Sequence, residues 1–220
     1  MKTTTHHHGR RTSRDRPHSA GKDPGVVYDR IKRGMDVVAA LVGIVLCTPL
    51  LLGCAAWVWF VDGGPVLYYQ WRVGRHGWLF RLFKLRTMSC DAERDGRARF
   101  AKSGDPRILR GCQWIRRSHI DELPQLWNIL AGQMSLVGPR PERPEMFERL
   151  KRAIPKLERR LIGKPGLTGL AQIRNGYTND IAGARKKLAY DLRYLRRRSL
   201  ITEFRLVLAT IPKIWDHAAI

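Results

Sequence analysis

The sequence predicts a membrane-associated, helix-rich α+β chain of the α/β class, and three observations carry that reading. Val37 to Val61 is a run of 25 residues without a charge, bounded by Asp36 and Asp62, long enough to enter a bilayer as a helix. Residues 67–88, LYYQWRVGRHGWLFRLFKLRTM, place aromatic and branched side chains near period two around Gly74 and Gly77, the pattern of extended strands. Met146, Leu150, Ile154, Leu157 and Leu161 recur at spacings of three and four, which predicts an amphipathic helix over 142–161 with cations on its other face and Pro155 as the place for a jog.

Composition bounds the rest. The 220 residues include 41 Lys and Arg against 19 Asp and Glu, a formal net charge of +22. One main globular unit is expected, with anionic partners: nucleic acid, acidic lipid headgroups or phosphorylated small molecules. With 44% apolar and 27% charged residues, the chain is neither collagen-like nor disordered as a whole. Cys47, Cys54, Cys90 and Cys112 form no CxxC pair and read as reduced thiols, with neither a disulfide framework nor a zinc site.

In chain order, residues 1–28 lack apolar periodicity and are expected to be a disordered basic tail, in which His6, His7 and His8 are incidental. Residues 29–62 form the anchor, with twelve uncharged residues on each side of Pro49. The proline ring removes a backbone donor and predicts a sharp kink, which the Thr48 hydroxyl makes tolerable at depth by satisfying a freed carbonyl. Residues 1–36 carry nine Lys and Arg, and residues 63–90 carry Arg72, Arg75, Arg81, Lys84 and Arg86 without an acid. A single span exports one basic flank, whereas a re-entrant helix-break-helix keeps both in the cytoplasm; the second is favoured, and an ordinary kinked span stays open. Residues 63–220 form the cytosolic domain, with helices expected over 107–117, 124–130 and about 183–215. Its basic amphipathic helices either lie in the membrane interface or present solvated faces.

The densest polar constellation runs from Asp105 to Pro141, centred on the adjacent acids Asp121 and Glu122. Leu123 precedes Pro124, which predicts a helix start at Pro124 and sets both acids near positive amide ends. With Arg116 and Arg117 just upstream, both carboxylates are expected to be ionised and to attract a second cation such as magnesium, Mg2+. Lys84 and Arg86, two apart, would share one face of a strand and grip phosphate oxygens together. Arg140 lies between Pro139 and Pro141, so its guanidinium is aimed with less entropy left to lose.

These residues carry a resemblance. The chain resembles the bacterial sugar transferase family, the small monotopic phosphoglycosyl transferases, through KRGMDVVAALVGIVLCTPLL, GPVLYYQWRVGRHGWLFRLFKLRTM, DPRIL, DELPQLWNILAGQMSLVGPRPE, KPGLTGLAQI and the Asp191 and Tyr194 positions, from about residue 28 to 213. The resemblance implies transfer of a sugar-1-phosphate from a UDP-sugar to undecaprenyl phosphate, releasing UMP, at the start of polysaccharide or glycoconjugate synthesis. It implies Asp121 as the nucleophile that carries the phosphosugar as an aspartyl ester, and Glu122 as the magnesium ligand beside it. Lys84, Arg86, Arg116 and Arg140 then form the phosphate clamp. Lys164, Gly166, Thr168, Gly169 and Gln172 match a nucleotide-contacting loop, whose glycines would admit close backbone approach. Asp191 and Tyr194 match a polar pair of supporting role.

The implied setting is the inner membrane, with the catalytic domain on the cytoplasmic face against the membrane lipids, and a homodimer is an open option. His119, Cys112, Gln133, Glu203 and the Arg174-Asn175-Gly176 stretch depart from the family pattern. None of these is Asp121 or Glu122, and they bear on sugar preference and nucleotide contacts. The alternatives are a membrane-tethered basic nucleic-acid-binding protein, favoured by the charge and by Arg196, Arg197 and Arg198, and a one-step transferase without a covalent intermediate. No recognisable nucleic-acid module is present, and no nucleic-acid partner is expected.

Overall fold

The computed structural model of the chain describes residues 24–92, 104–175 and 180–215. The expected tail lies outside these residues up to position 23, as do His6, His7 and His8, and its last residues from Pro24 onward are instead helical. Helix α1 spans Pro24–Asp62, with the proline in its first turn, where a missing N–H is harmless. Gly63 ends it: at φ 67° its amide returns to the Trp59 carbonyl, 2.8 Å away, the left-handed cap that glycine permits.

Two helices separated by a break at Pro49 were expected, but the helical assignment runs through the proline without interruption. Thr48 Oγ1 does donate to a carbonyl, that of Ile44 at 2.6 Å. Proline at 49 frees the next carbonyl, that of Val45, so the hydroxyl reinforces the adjacent rung of the ladder. The α1 helix is long and apolar enough to cross a membrane. One stripe along it is covered. Ala40 and Ile44 pack with Phe80, Leu82, Leu126, Ile129 and Met134, while Leu51, Cys54 and Val58 pack with Leu85, Ile108, Leu109, Cys112 and Ile115. The other side, including Val38, Val45, Leu46, Leu52 and Phe60, is exposed.

Strands β1 (Leu67–Val73) and β2 (Leu79–Leu85) form the expected extended pair, an antiparallel ribbon with Tyr69 opposite Phe83 and Trp71 opposite Arg81. Its turn, Arg75–Gly77, holds His76 and Gly77 at positive φ. The guanidinium of Arg81 lies over the Tyr69 and Trp71 rings, 5.1 and 5.2 Å from their centroids. Fully buried Asn128 stands in for a neighbouring strand, accepting from the Phe83 amide at 3.1 Å and donating to the Arg81 carbonyl at 2.6 Å.

Helix α2 covers only Gln113–Arg117, short of the helix expected over 107–117. Asp105 grips the Arg107 side chain at 2.9 and 2.6 Å, Gly111 takes φ 75°, and Ile108 bridges to Met88 instead. Helix α3 is Gln125–Leu130, followed by β3 (Ser135–Val137). Helix α4 is Pro144–Ala153, and the pattern expected to continue to 161 breaks after it. Pro155 has no amide to donate, Lys156 is left-handed at φ 70°, and a 3-10 helix follows over Leu157–Ile162. Strand β4 (Gly166–Thr168) pairs in parallel with β3, followed by α5 (Leu170–Asn175).

The single helix expected over 183–215 is two, α6 (Ile181–Arg196) and α7 (Leu200–Thr210), with a 3-10 turn over Ile211–Trp215. Ser199 makes the break by accepting the Thr202 amide at 3.2 Å as the cap of α7. The outward face of α7 carries Ile201, Phe204 and Leu208, and Ile211 opens the turn after it, all exposed.

Both ends of α1 are fastened to this one domain. Near its start, Arg33 donates to the Ile129 and Leu130 carbonyls at 2.6 and 2.7 Å, capping α3. One turn later, Asp36 accepts from the Leu136 amide at 3.0 Å and from Ser135 Oγ at 3.1 Å. At its end, Arg86 donates to the Asp62 carboxylate at 2.5 Å and to the Asp62 and Gly63 carbonyls at 3.3 and 2.7 Å, which satisfies the open end of the helix.

Candidate active site

The acids stand on a turn of their own. Ser118 Oγ donates to the Trp114 carbonyl at 2.7 Å, and His119 at φ 56° reverses the chain into a 3-10 turn over Ile120–Glu122. Pro124 caps α3, which starts at Gln125, so the acids occupy the turn before α3 rather than its first turn. Successive side chains on such a turn diverge by about 120°, and Asp121 and Glu122 point to different neighbours although both are buried.

Glu122 takes the cations. Lys84, on β2, places Nζ 2.7 Å from Glu122 Oε1, and Arg140 grips both oxygens, Nη1 to Oε2 at 3.1 Å and Nη2 to Oε1 at 2.5 Å. Asp121 has, among the described residues, one ion pair, with the far side of the Lys84 charge, Nζ to Oδ2 at 3.8 Å. The consequence is electrostatic. Burial pushes the Asp121 carboxyl above its ordinary range, with Lys84 offsetting part of that. Burial acts on Glu122 too, but Arg140 and Lys84 overcome it and hold that carboxyl well below the ordinary range. Both carboxylates were expected to be ionised, and the surroundings separate them in basicity: one fork of cations serves Glu122 and leaves Asp121 the more basic of the two.

The other expected site residues fall in three places. Arg116 lies beside Asp121, opposes the upward shift there, and donates to Thr87 Oγ1 at 3.2 Å. Arg86 does not join Lys84: it lies just past β2 and points to Asp62. Lys164, Gly166, Thr168, Gly169 and Gln172 line the β3–β4 junction. There the glycines serve the protein's own backbone, because a Cβ on Gly166 would sit 2.0 Å from the Gly138 amide and one on Gly169 would sit 2.2 Å from the Gly138 carbonyl. Thr168 Oγ1 lies 2.7 Å from Thr210 Oγ1, and Gln172 donates to the Leu167 carbonyl at 2.9 Å while its Oε1 is buried without a partner. The Lys164 amine is lowered by burial and by Arg33, and lies toward Gly132.

Asp191 and Tyr194, one turn apart on α6, enter different networks. Asp191 Oδ2 is 2.7 Å from Arg160 Nη2, and the Asp191 carboxyl is raised by burial against the pull of Arg160. The Tyr194 hydroxyl lies 2.7 Å from Glu203 Oε1 and 3.0 Å from the Val137 carbonyl. Glu203 also receives Tyr28 at 2.7 Å and pairs with Lys32, tying α7 to the start of α1.

Sequence reasoning missed Arg72, Glu142, Arg160 and Lys187, which form a charged cluster behind Arg140. Burial alone would raise Glu142, but Lys187 and Arg160 hold it at about 2; burial, with Arg140 next, brings Arg72 down to about 10. A usable signal existed: in a chain with 41 cations and 19 acids, Asp191 and Glu203 are isolated acids near basic residues, and each holds a cation in place, Arg160 and Lys32.

Two buried acids with Lys84, Arg116 and Arg140 around them, in a chain whose first helix is long and apolar enough to cross a membrane, describe a membrane-associated protein with a buried charged site. Residues 27–217 match the family described as bacterial sugar transferase, and the chain belongs to that family. It is 41% identical over 191 residues to a UDP-N-acetylgalactosamine-undecaprenyl-phosphate N-acetylgalactosaminephosphotransferase of Aeromonas hydrophila, covering 87% of this chain and 45% of that protein. It is also 41% identical over 196 residues to a UDP-glucose:undecaprenyl-phosphate glucose-1-phosphate transferase of Caulobacter vibrioides, covering 88% of this chain and 73% of the other. A Rhizobium meliloti exopolysaccharide production protein, ExoY, is 38% identical over 197 residues, 83% of this chain and 84% of its own length. The chain thus spans less than half of the Aeromonas relative, and two relatives of equal identity are named for different sugars.

Proposed function

We propose that the chain transfers a sugar-1-phosphate from a UDP-sugar to undecaprenyl phosphate in two steps. An Asp121 carboxylate oxygen attacks the sugar-linked phosphorus, the bond from that phosphorus to UMP breaks, and UMP leaves. An oxygen of the lipid phosphate then attacks the same phosphorus, the aspartyl bond breaks, and the carboxylate is restored as undecaprenyl-diphospho-sugar forms. The observation that carries this reading is the split between neighbouring acids: Glu122 holds Lys84 and Arg140, while Asp121 has, among the described residues, a single ion pair at 3.8 Å. A basic, lightly paired carboxylate is the better nucleophile, and its saturated neighbour positions the cations that neutralise phosphate oxygens.

Among the described residues no group of three or more His, Cys, Asp and Glu gathers as a metal cage. The donor set nonetheless fits magnesium, which is commonly held by one or two carboxylates together with substrate phosphates. Glu122 would hold it with the diphosphate, and it would supply further neutralisation of the oxygens there.

The anchor is read as re-entrant, with the domain on the cytoplasmic face of the inner membrane. Supporting this, Asp36 and Asp62 flank the charge-free run and are bonded to residues of the same domain, Leu136 and Arg86. The exposed apolar residues of α7 suit contact with the lipid surface.

The test is UMP release from a panel of UDP-sugars in detergent with magnesium and undecaprenyl phosphate. The native chain is expected to release UMP and Asp121→Asn to release none, and mass spectrometry of native chain given donor alone should find a phosphosugar on Asp121. Full activity in the Asn variant would remove the covalent mechanism.

A further inference from the structure

We infer that Arg160 and Arg72 are positioning residues for Arg140, with Asp191 and Glu142 holding Arg160 where it does this; the inference rests on the proposed role of Arg140 at the phosphates. The stretch from Gly138 to Glu142 belongs to no helix or strand, yet four successive carbonyls in it are held. Pro139 O accepts from the Gly166 amide at 3.0 Å and Glu142 O from the Val73 amide at 2.9 Å. Between them, Arg140 O accepts from Arg160 Nη2 at 2.9 Å and Pro141 O from Arg72 Nη1 at 3.1 Å. An irregular segment ordinarily gives its carbonyls to water; this one is fixed by β4, by β1 and by the 3-10 helix that carries Arg160. The Arg140 guanidinium that grips Glu122 therefore springs from a backbone with little freedom.

Arg160 is itself fixed from behind. It is 4% exposed, with Nη2 2.7 Å from Asp191 Oδ2 and Nη1 3.3 Å from Glu142 Oε1, and Lys187 also pairs with Glu142. The contact with Arg140 is made through its backbone carbonyl, so Arg160 acts on it by geometry. Arg160 spreads its contacts over two nitrogens, Nη2 toward the Arg140 carbonyl and Asp191 and Nη1 toward Glu142, a spread that the single amine of lysine does not have.

The test uses the full chain in lipid nanodiscs, comparing native, Arg160→Gln and Arg160→Lys, each also with Arg140→Gln. A core variant, Leu188→Ala, serves as a control for stability. Arg160→Gln is expected to lower kcat for UMP release roughly ten- to hundredfold with little change in KM, and Arg160→Lys to recover part of it. In the Arg140→Gln background the same change should cost no more than about threefold, because residues acting as one unit are non-additive. Hydrogen exchange at the Gly138, Arg140 and Glu142 amides, the other two residues of the segment being prolines, should quicken at least about tenfold in Arg160→Gln and not in Leu188→Ala. Equal losses in both backgrounds, unchanged exchange, or the same pattern from Leu188→Ala would overturn the inference. If the native chain releases no UMP from any donor, the proposed activity fails, and the exchange comparison still decides whether Arg160 braces this segment.

Discussion

Asp121 and Glu122 differ by one position, and their surroundings drive them in opposite directions, which makes opposite dependences on pH. The Asp121 carboxyl is raised in the fold, so it contributes stability that is fully present below its unfolded value, about 3.9, and is lost as pH rises through the raised value. Asparagine at 121 does not titrate and carries no buried charge. Asp121→Asn is therefore expected to unfold at a higher temperature than the native chain at neutral pH, with the advantage shrinking toward about pH 4. Glu122 is depressed, so its contribution is present above its unfolded value, about 4.3, and fades as pH falls through the lower one. Glu122→Gln leaves Lys84 and Arg140 without their anion and should cost about 1–3 kcal/mol at neutral pH, closing on acidification. Thermal unfolding of both variants at the two pH values measures this, and a shared sign would show that the environments do not separate the acids.

At the scale of elements, the junction of β3 with β4 decides where Arg140 is presented. A Cβ on Gly138 would lie 2.4 Å from the Lys164 carbonyl and 2.8 Å from the Gly166 amide, both rigid backbone atoms. Gly138→Ala is expected to cost about 1–3 kcal/mol or more, as overpacking does, and to impair UMP release. Gly34, inside α1 with nothing within 4 Å, is the contrast: Gly34→Ala should be neutral or stabilise by up to about 1 kcal/mol. Chemical or thermal unfolding of the two variants side by side distinguishes steric need from glycine as such.

Residues 166 and 169 show what a sequence displays and what it conceals. Their glycines were legible as a close approach, but whether the approaching group is a ligand or another strand depends on Gly138, nearly thirty positions away. The same holds for Arg86, whose spacing from Lys84 was legible while its partner, Asp62 on α1, was not. The β1–β2 ribbon, the long apolar helix and the acidic pair were visible because their signals are local. The break at Ser199 was missed because one capping serine interrupts an otherwise continuous apolar period.

For the whole molecule, the decisive relation is between the length of α1 and the places where its ends are held. A straight helix from Asp36 to Asp62 would extend roughly 39 Å, more than the roughly 30 Å hydrocarbon core of a bilayer. Such a span would set its two flanking acids on opposite sides of the membrane. Yet Asp36 is bonded to the Leu136 amide and Asp62 to Arg86, and the buried face of the helix packs in turn on Leu126 and Ile129 and then on Ile108 and Cys112. Carrying either set across the bilayer would strip the other of its partners and leave buried charges, Asp36 and Arg86 among them, unpaired at a cost of several kcal/mol. Pro49, midway along the uncharged run, is where the path can turn with the least loss of backbone bonding. Single cysteines placed at Asp29 and Gly63, in a chain freed of its native thiols, should both be shielded from an impermeant maleimide in intact spheroplasts. Both should be labelled in inside-out vesicles. Labelling of either one from the outer side would replace the proposed hairpin with a span and part the two ends of α1 from the domain that holds them.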